Sequence, residues 1–208
     1  ISKELNRLFR KRGMTMHAGS TVDPASLERT ESGIRHLIVA NDGSARTDIE
    51  SEWILIAIGR RPVTENIGLE QIDGLRTDRG FVLVDDHMRT DVPHLYAIGD
   101  IVPGYALAHV ASHESIVAVE TIAGRDPEPV RMDLMPRVTF CRPEIASVGL
   151  SEADAAEQGL QVKVGSFPFR ALGKATIVGE VDGFAKFVAE AETGRLLGAH
   201  IIGPHAGD

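Results

Sequence analysis

The residues best suited to chemistry in this chain lie between Gly99 and His109. A short apolar run, Leu95-Tyr96-Ala97-Ile98, reads as a strand that ends in Gly99, and the carboxylate of Asp100 follows at once. Ala106-Leu107-Ala108-His109 then opens a long apolar segment with helical spacing. Glycine lets backbone approach a ligand, and an acid beyond a strand end can accept hydrogen bonds from sugar hydroxyls. A helix start offers unpaired N–H groups and the positive end of a dipole, and small residues there let those groups reach an electron-rich ring. Gly99, Asp100, Ala106, Leu107, Ala108 and His109 together describe a nucleotide-cofactor site. Read singly, Asp100 is equally a turn aspartate and residues 106–109 an ordinary helix start; their order along the chain points to the ligand.

Several elements must position these residues. Residues 53–58 form a continuous apolar run of buried-strand length, with Trp53 in the core. Gly59 closes it and can pass close to a second ligand or simply end the strand; Arg60 and Arg61 after it suit a phosphate, or, more plainly, ion pairs with acids. Residues 107–122 carry helical apolar spacing at Val110, Ile116, Val117, Val119 and Ile122, ended by Gly124-Arg125-Asp126-Pro127. Upstream, residues 5–11 read as an amphipathic helix stopped by Gly13, and 14–17 and 34–40 as strands, the latter followed by the turn Asn41-Asp42-Gly43. Asp78-Arg79-Gly80 turns into a strand over 81–84. Beyond a boundary in 126–132, strands are predicted at 136–141, 145–150, 162–169, 184–189 and 196–202, with Ser151 and Asp154 capping a helix. The pattern is α/β followed by α+β with an antiparallel sheet.

Composition narrows the function classes. The chain has 208 residues, 43% hydrophobic, with formal net charge -8. That charge argues against nonspecific binding to nucleic acid or anionic membrane, and no apolar run reaches a membrane span of ~20 residues. One cysteine, Cys141, excludes an internal disulfide; a reducing, cytoplasmic compartment and a core position for Cys141 are expected. The trio Asp85, Asp86 and Asp91 reads as a solvated edge. His109 and His113 share a helix face at metal-ligand spacing, but no third ligand is evident beyond Glu114, so no metal is assigned.

The 95–109 pattern resembles the second flavin-binding motif of the FAD-dependent pyridine nucleotide–disulfide oxidoreductases. Ala57-Ile58-Gly59-Arg60-Arg61-Pro62, Pro143-Glu144-Ile145-Ala146-Ser147-Val148-Gly149, Phe167-Pro168-Phe169 and Gly198-Ala199-His200-Ile201-Ile202-Gly203 extend the resemblance over nearly the whole chain. Within the family, Leu107-Ala108-His109 with Glu114 is similar to the dihydrolipoamide dehydrogenase branch, although Ser115 stands where the family often has glycine. The resemblance implies that residues 1–58 are the second half of an NAD-binding domain, 59–130 a central domain closing over FAD, and 131–208 part of an interface (dimerisation) domain. It gives Asp100 the flavin's ribityl chain, residues 106–109 its pyrimidine end, and Gly59 a nicotinamide-nucleotide contact.

The implied activity is oxidation of dihydrolipoyl groups of a 2-oxo acid dehydrogenase complex, through a cysteine pair and FAD, to reduce NAD in a homodimer. No G-x-G-x-x-G, cysteine pair or C-terminal His–Glu pair occurs here, so the chain reads as incomplete. It carries no catalytic residue and is expected to be inactive alone. Sibling mercuric- or glutathione-type reductases, and a noncatalytic dimerisation module, stay open as alternatives.

Overall fold

The computed structural model describes residues 1–208, which form two compact units, Ile1–Gly59 and Arg60–Asp208. In the first, helix α1 (Ser2–Lys11) precedes a three-stranded antiparallel sheet of β1 (Ser20–Arg29), β2 (Ile34–Ala40) and β3 (Arg46–Ser51). Leu8 is the buried residue of α1. Residues 14–17 are not the expected strand: Met14 N–H returns to the Phe9 carbonyl at 3.1 Å, so this stretch caps the helix.

Two strands here escape the alternation rule. Pro24 lacks an N–H, and the β1–β2 register shifts between Asp23 and Glu28. The Ser26 hydroxyl bridges that bulge, accepting the Leu37 N–H at 2.7 Å and donating to the Asp23 carbonyl. Edge strand β3 is charged instead of apolar, and Arg35 of β2 reaches both Asp48 and Glu50 at 3.9 Å.

The expected buried strand over 53–58 does not form. Trp53, Leu55 and Ile58 are 86%, 90% and 94% exposed, which also corrects the core position for Trp53. A run apolar on both faces needs hydrogen-bonded neighbours on either side, and no strand of this chain pairs with it.

The second unit opens with a hairpin of β4 (Thr77–Asp78) and β5 (Phe81–Val82). Its turn, Arg79-Gly80, has both φ values positive, 48° and 87°, the signature of a type I′ turn. Residues 95–98 are extended but contribute only one bridge, Arg89 to Tyr96, not the expected strand. Their side chains still alternate: Ala97 joins Val82 and Val102, while Tyr96 and Ile98 pack toward Met88 and helix α2 (Ala108–Ile122). The buried side of α2 is Val110, Glu114, Val117, Ala118 and Thr121. Ile116, Val119 and Ile122 face outward, because a 3.6-residue period cannot put them on the side of Val110 and Val117.

Next come β6 (Arg137–Thr139), β7 (Glu144–Gly149), α3 (Glu152–Glu157), β8 (Val162–Pro168), α4 (Gly173–Val178), β9 (Phe184–Glu190) and β10 (Leu196–Gly203). The five strands make one antiparallel sheet in the order β6-β7-β10-β9-β8. Ile202 and Val188 are fully buried within it. Gly183 (φ 109°) lies where an added Cβ would run into the Ile202 carbonyl oxygen, whereas Gly194 (φ 74°) has open space.

The capping box of α3 is complete: Ser151 Oγ accepts the Asp154 N–H at 3.2 Å and Asp154 accepts the Ser151 N–H at 2.9 Å. Hydrogen bonding from Ser151, side chain first, holds the Asp154 carboxyl below the usual range. Lys186 does the same for Glu152.

Two outcomes follow for stability. Gly183→Ala is expected to cost clearly more than the ~1 kcal/mol of left-handed strain anticipated for Gly194→Ala, read by chemical denaturation. A depressed folded-state pKa gives stability that is present above the unfolded value and lost as pH falls through the folded one. Ser151→Ala is therefore expected to lower the melting temperature at neutral pH, with the gap to the parent narrowing, but not vanishing, as pH falls below about 4, because the N-cap bond to the Asp154 N–H does not titrate.

Candidate functional site

Ile98 arrives extended, with φ -144° and ψ 165°, and Gly99 at φ 79° swings the chain into a short 3-10 turn, Gly99–Ile101. The Val102 N–H closes that turn on the Gly99 carbonyl at 3.0 Å. An added Cβ at Gly99 would meet Ala111 Cβ at 3.6 Å, an ordinary contact, so left-handed geometry and not space demands glycine.

Facing this turn is the start of α2. Its N-cap, Leu107, is extended and supplies no capping side chain. Ala111 is the first residue to reach back, its N–H 3.1 Å from the Leu107 carbonyl. The N–H groups of Ala108, His109 and Val110 thus have no partner inside the helix, at its positive end. Ala108 and His109 are exposed and Ala106 and Leu107 half-buried. The His109 ring points away: its Nε2 lies 2.8 Å from the Pro136 carbonyl, beside β6, leaving the backbone at the helix start.

Two side chains hold turn and helix together. Arg60 Nη2 donates to the Ala106 carbonyl at 2.6 Å while Nη1 lies 3.4 Å from Asp100 Oδ2. One guanidinium therefore spans from Asp100 to the helix entrance. Both side chains are more than half exposed, so the pair adds little to stability and acts through geometry. From the protein side, Glu114 is 2% exposed, and its Oε2 accepts the Gly99 N–H at 2.7 Å. Sequence reasoning noted Glu114 without giving it a role. The signal was present: a carboxylate in the buried stripe of Val110 and Val117 needs a buried donor.

The structure therefore brings Gly99, Asp100, Ala106, Leu107, Ala108 and His109 into one place. Gly59 belongs to the first unit, as its last residue, with φ 129° and open space around it. The ion-pair reading of the two arginines holds, Arg61 pairing with Glu65 at 3.4 Å. Cys141 is half-buried, not in the core: β6 ends at Thr139, and in the following bend Cys141 Sγ donates to the Pro143 carbonyl at 3.1 Å. Asp85 accepts the N–H groups of His87 and Arg89, and Asp91 pairs with Arg76. No three His, Cys, Asp or Glu side chains come together as a metal-holding group. Chemically, the site presents one exposed carboxylate and a set of free N–H donors, suited to a ligand with hydroxyls along a chain and an electron-rich edge.

The model of the pyridine nucleotide-disulphide oxidoreductases matches residues 1–115, more than half of the chain, and that of their dimerisation domain matches residues 135–208. The chain belongs to the pyridine nucleotide-disulphide oxidoreductase family. It is 44% identical over 208 residues to the dihydrolipoyl dehydrogenase of Bacillus subtilis, covering 100% of this chain and 43% of that protein. It is 43% identical over 204 residues to that of Geobacillus stearothermophilus, covering 98% of this chain and 42% of the relative. Among solved structures, LpdA from Mycobacterium tuberculosis superimposes with a TM-score of 0.82 at 29% identity, over 98% of this chain and 43% of that one. The flavoprotein disulfide reductase RclA from Escherichia coli gives 0.84 at 22% identity, over 100% and 46%, which speaks for the fold alone. The chain thus spans less than half the length of these relatives. No helix in it is long and apolar enough to cross a membrane.

Arg60→Ala is expected to loosen the loop from Asp100 to Ala106 without unfolding the unit. Amide hydrogen exchange there speeds up by about tenfold while α2 keeps its protection; unchanged exchange would mean that the arginine fork holds nothing.

Proposed function

We propose that this chain is the part of a dihydrolipoyl dehydrogenase that forms one wall of its FAD site. Residues 1–58 are the second half of the NAD-binding domain, 59–130 the central domain and 131–208 part of the dimer interface. The observation that carries the reading is the Gly99–Asp100 turn facing the uncapped N-terminus of α2.

The residues fit the cofactor. Asp100 has one partner, Arg60, and keeps acceptor capacity for ribityl hydroxyls. Small residues at 106 and 108 leave the free N–H groups of α2 open to the pyrimidine edge of an isoalloxazine. When bound, FAD supplies the two-electron relay between thiols and nicotinamide. This chain's residues bind and orient it, and the positive end of α2 favours the negative charge that reduction places at that edge.

In the whole protein the proposed reaction takes two electrons and two protons from a dihydrolipoyl dithiol, leaving the lipoyl disulfide. NAD receives a hydride and one proton is released. The cysteine pair and the acid/base belong to segments other than these 208 residues. Gly59, with no side chain and open space, suits close passage of the nicotinamide nucleotide. The dimerisation-domain match over residues 135–208 supports a homodimer, and the relatives' names support a lipoyl-bearing partner.

The test is FAD titration of the natural gene product. Asp100→Ala is expected to weaken FAD retention by about tenfold or more, the loss of one or two hydrogen bonds to a carboxylate, and exposed Asp73→Ala to leave it unchanged. Equal retention in both variants would remove Asp100 from the site.

A further inference from the structure

Glu114 is the one carboxylate in this unit that is almost fully buried, at 2% exposed. Burying a carboxyl group is costly unless donors compensate, and here its acceptor does something an apolar side chain cannot. Its donor is the N–H of Gly99, at 2.7 Å, the residue immediately before Asp100. Gly99 is at φ 79°, and the direction in which Asp100 leaves the chain is set by that one turn. The carboxylate sits on α2, the same helix whose N-terminus forms the other side of the site. The bond therefore ties the Asp100 turn to the helix that carries the free N–H groups.

Helix packing alone does not make this link. Val117 and Ala118 fix α2 against Met88, and Val110 is fully buried, yet none of these apolar contacts can specify where a backbone N–H points. Arg60 closes the loop from the solvent side, but through a long, exposed side chain. Of the two side chains, Glu114 is the one shielded from water.

We infer that Glu114 is a positioning residue of the cofactor site: its buried carboxylate, by holding the Gly99 N–H, fixes the spacing between the Asp100 carboxylate and the N-terminus of α2, and so sets how a flavin is gripped at both points at once. The inference rests on the flavin reading of the site. Glu114 touches no ligand itself. It serves the site by keeping two binding elements, from different parts of the chain, at one separation.

The experiment uses the natural gene product with Glu114→Ala, Glu114→Gln and the parent, and FAD as probe. Glu114→Ala is expected to lose about tenfold or more in FAD affinity. At saturating FAD it also loses visible circular dichroism, which reports the fixed orientation of the ring, while far-ultraviolet dichroism is unchanged. Glu114→Gln keeps a carbonyl oxygen for the Gly99 N–H and restores both. Glu114→Ala with parental affinity and parental visible dichroism overturns the inference, with the flavin reading intact. So does a Gln variant no better than Ala.

A parent that takes no flavin, under conditions where a known flavoprotein does, overturns the flavin reading and the inference with it. Should Glu114→Ala not fold, hydrogen exchange on the parent decides: the Gly99 amide is expected to be protected like the middle of α2, and exchange at the rate of exposed Asp73 overturns the inference.

Discussion

The hydrogen bond from the Gly99 N–H to the buried carboxylate of Glu114 joins the two halves of the candidate site. A bond to an acceptor buried to 2% exposure is less weakened by solvent than the exposed Arg60–Asp100 pair. The left-handed turn at Gly99 is held on both sides, its N–H by Glu114 and its carbonyl by the Val102 N–H at 3.0 Å. On one side of the bond lies Asp100. On the other lies α2, whose apolar residues Val110, Val117 and Ala118 anchor the helix while its first N–H groups stay free. Packing thus fixes where the helix is, and one polar contact fixes what it faces.

The same economy runs through the five-stranded sheet. Its interior is small, with Val188 and Ile202 fully buried, and close backbone approach at Gly183 and Gly149 does what larger side chains do elsewhere. The sheet leaves Phe167, Phe187 and Leu196 about half exposed or more, and in the first unit Trp53, Leu55 and Ile58 are almost fully exposed. Exposed aromatic and branched residues at that density are interface material. Those of the sheet lie within residues 135–208, the segment that matches the family's dimerisation domain. The chain spans less than half its relatives' length, and in the proposed reading Asp100 and the start of α2 are one wall of a flavin site.

Much of this was legible in the sequence where local chemistry decides. Ser151 and Asp154 announced their capping box because both partners sit within one helical turn. Ile34–Ala40 and the strands of the last sheet were legible as strands, the latter as an antiparallel sheet, while their order and partners were not. Gly99, Asp100 and residues 106–109 were legible as a group because strand end, glycine, acid and helix start occur in order. Where long-range partners decide, the sequence was silent or misleading. Residues 53–58 have the composition of a buried strand, yet composition does not create neighbours. Residues 95–98 bury alternate faces as a strand does but find only one bridge partner. Strand β1 hides behind Pro24, since its bulge is completed by a hydroxyl from Ser26 that no period reveals. Glu114 was visible as a charge among apolar helix positions, but the residue it serves lies across the fold.

The most direct measurement is a crystal structure of the natural gene product grown with FAD. The ribityl chain is expected within hydrogen-bond distance of the Asp100 carboxylate and the pyrimidine edge against the N–H groups of Ala108 and His109, with the Glu114–Gly99 bond intact. Flavin bound with its ribityl chain and ring remote from Asp100 and the start of α2 would contradict a cofactor grip built from these two elements.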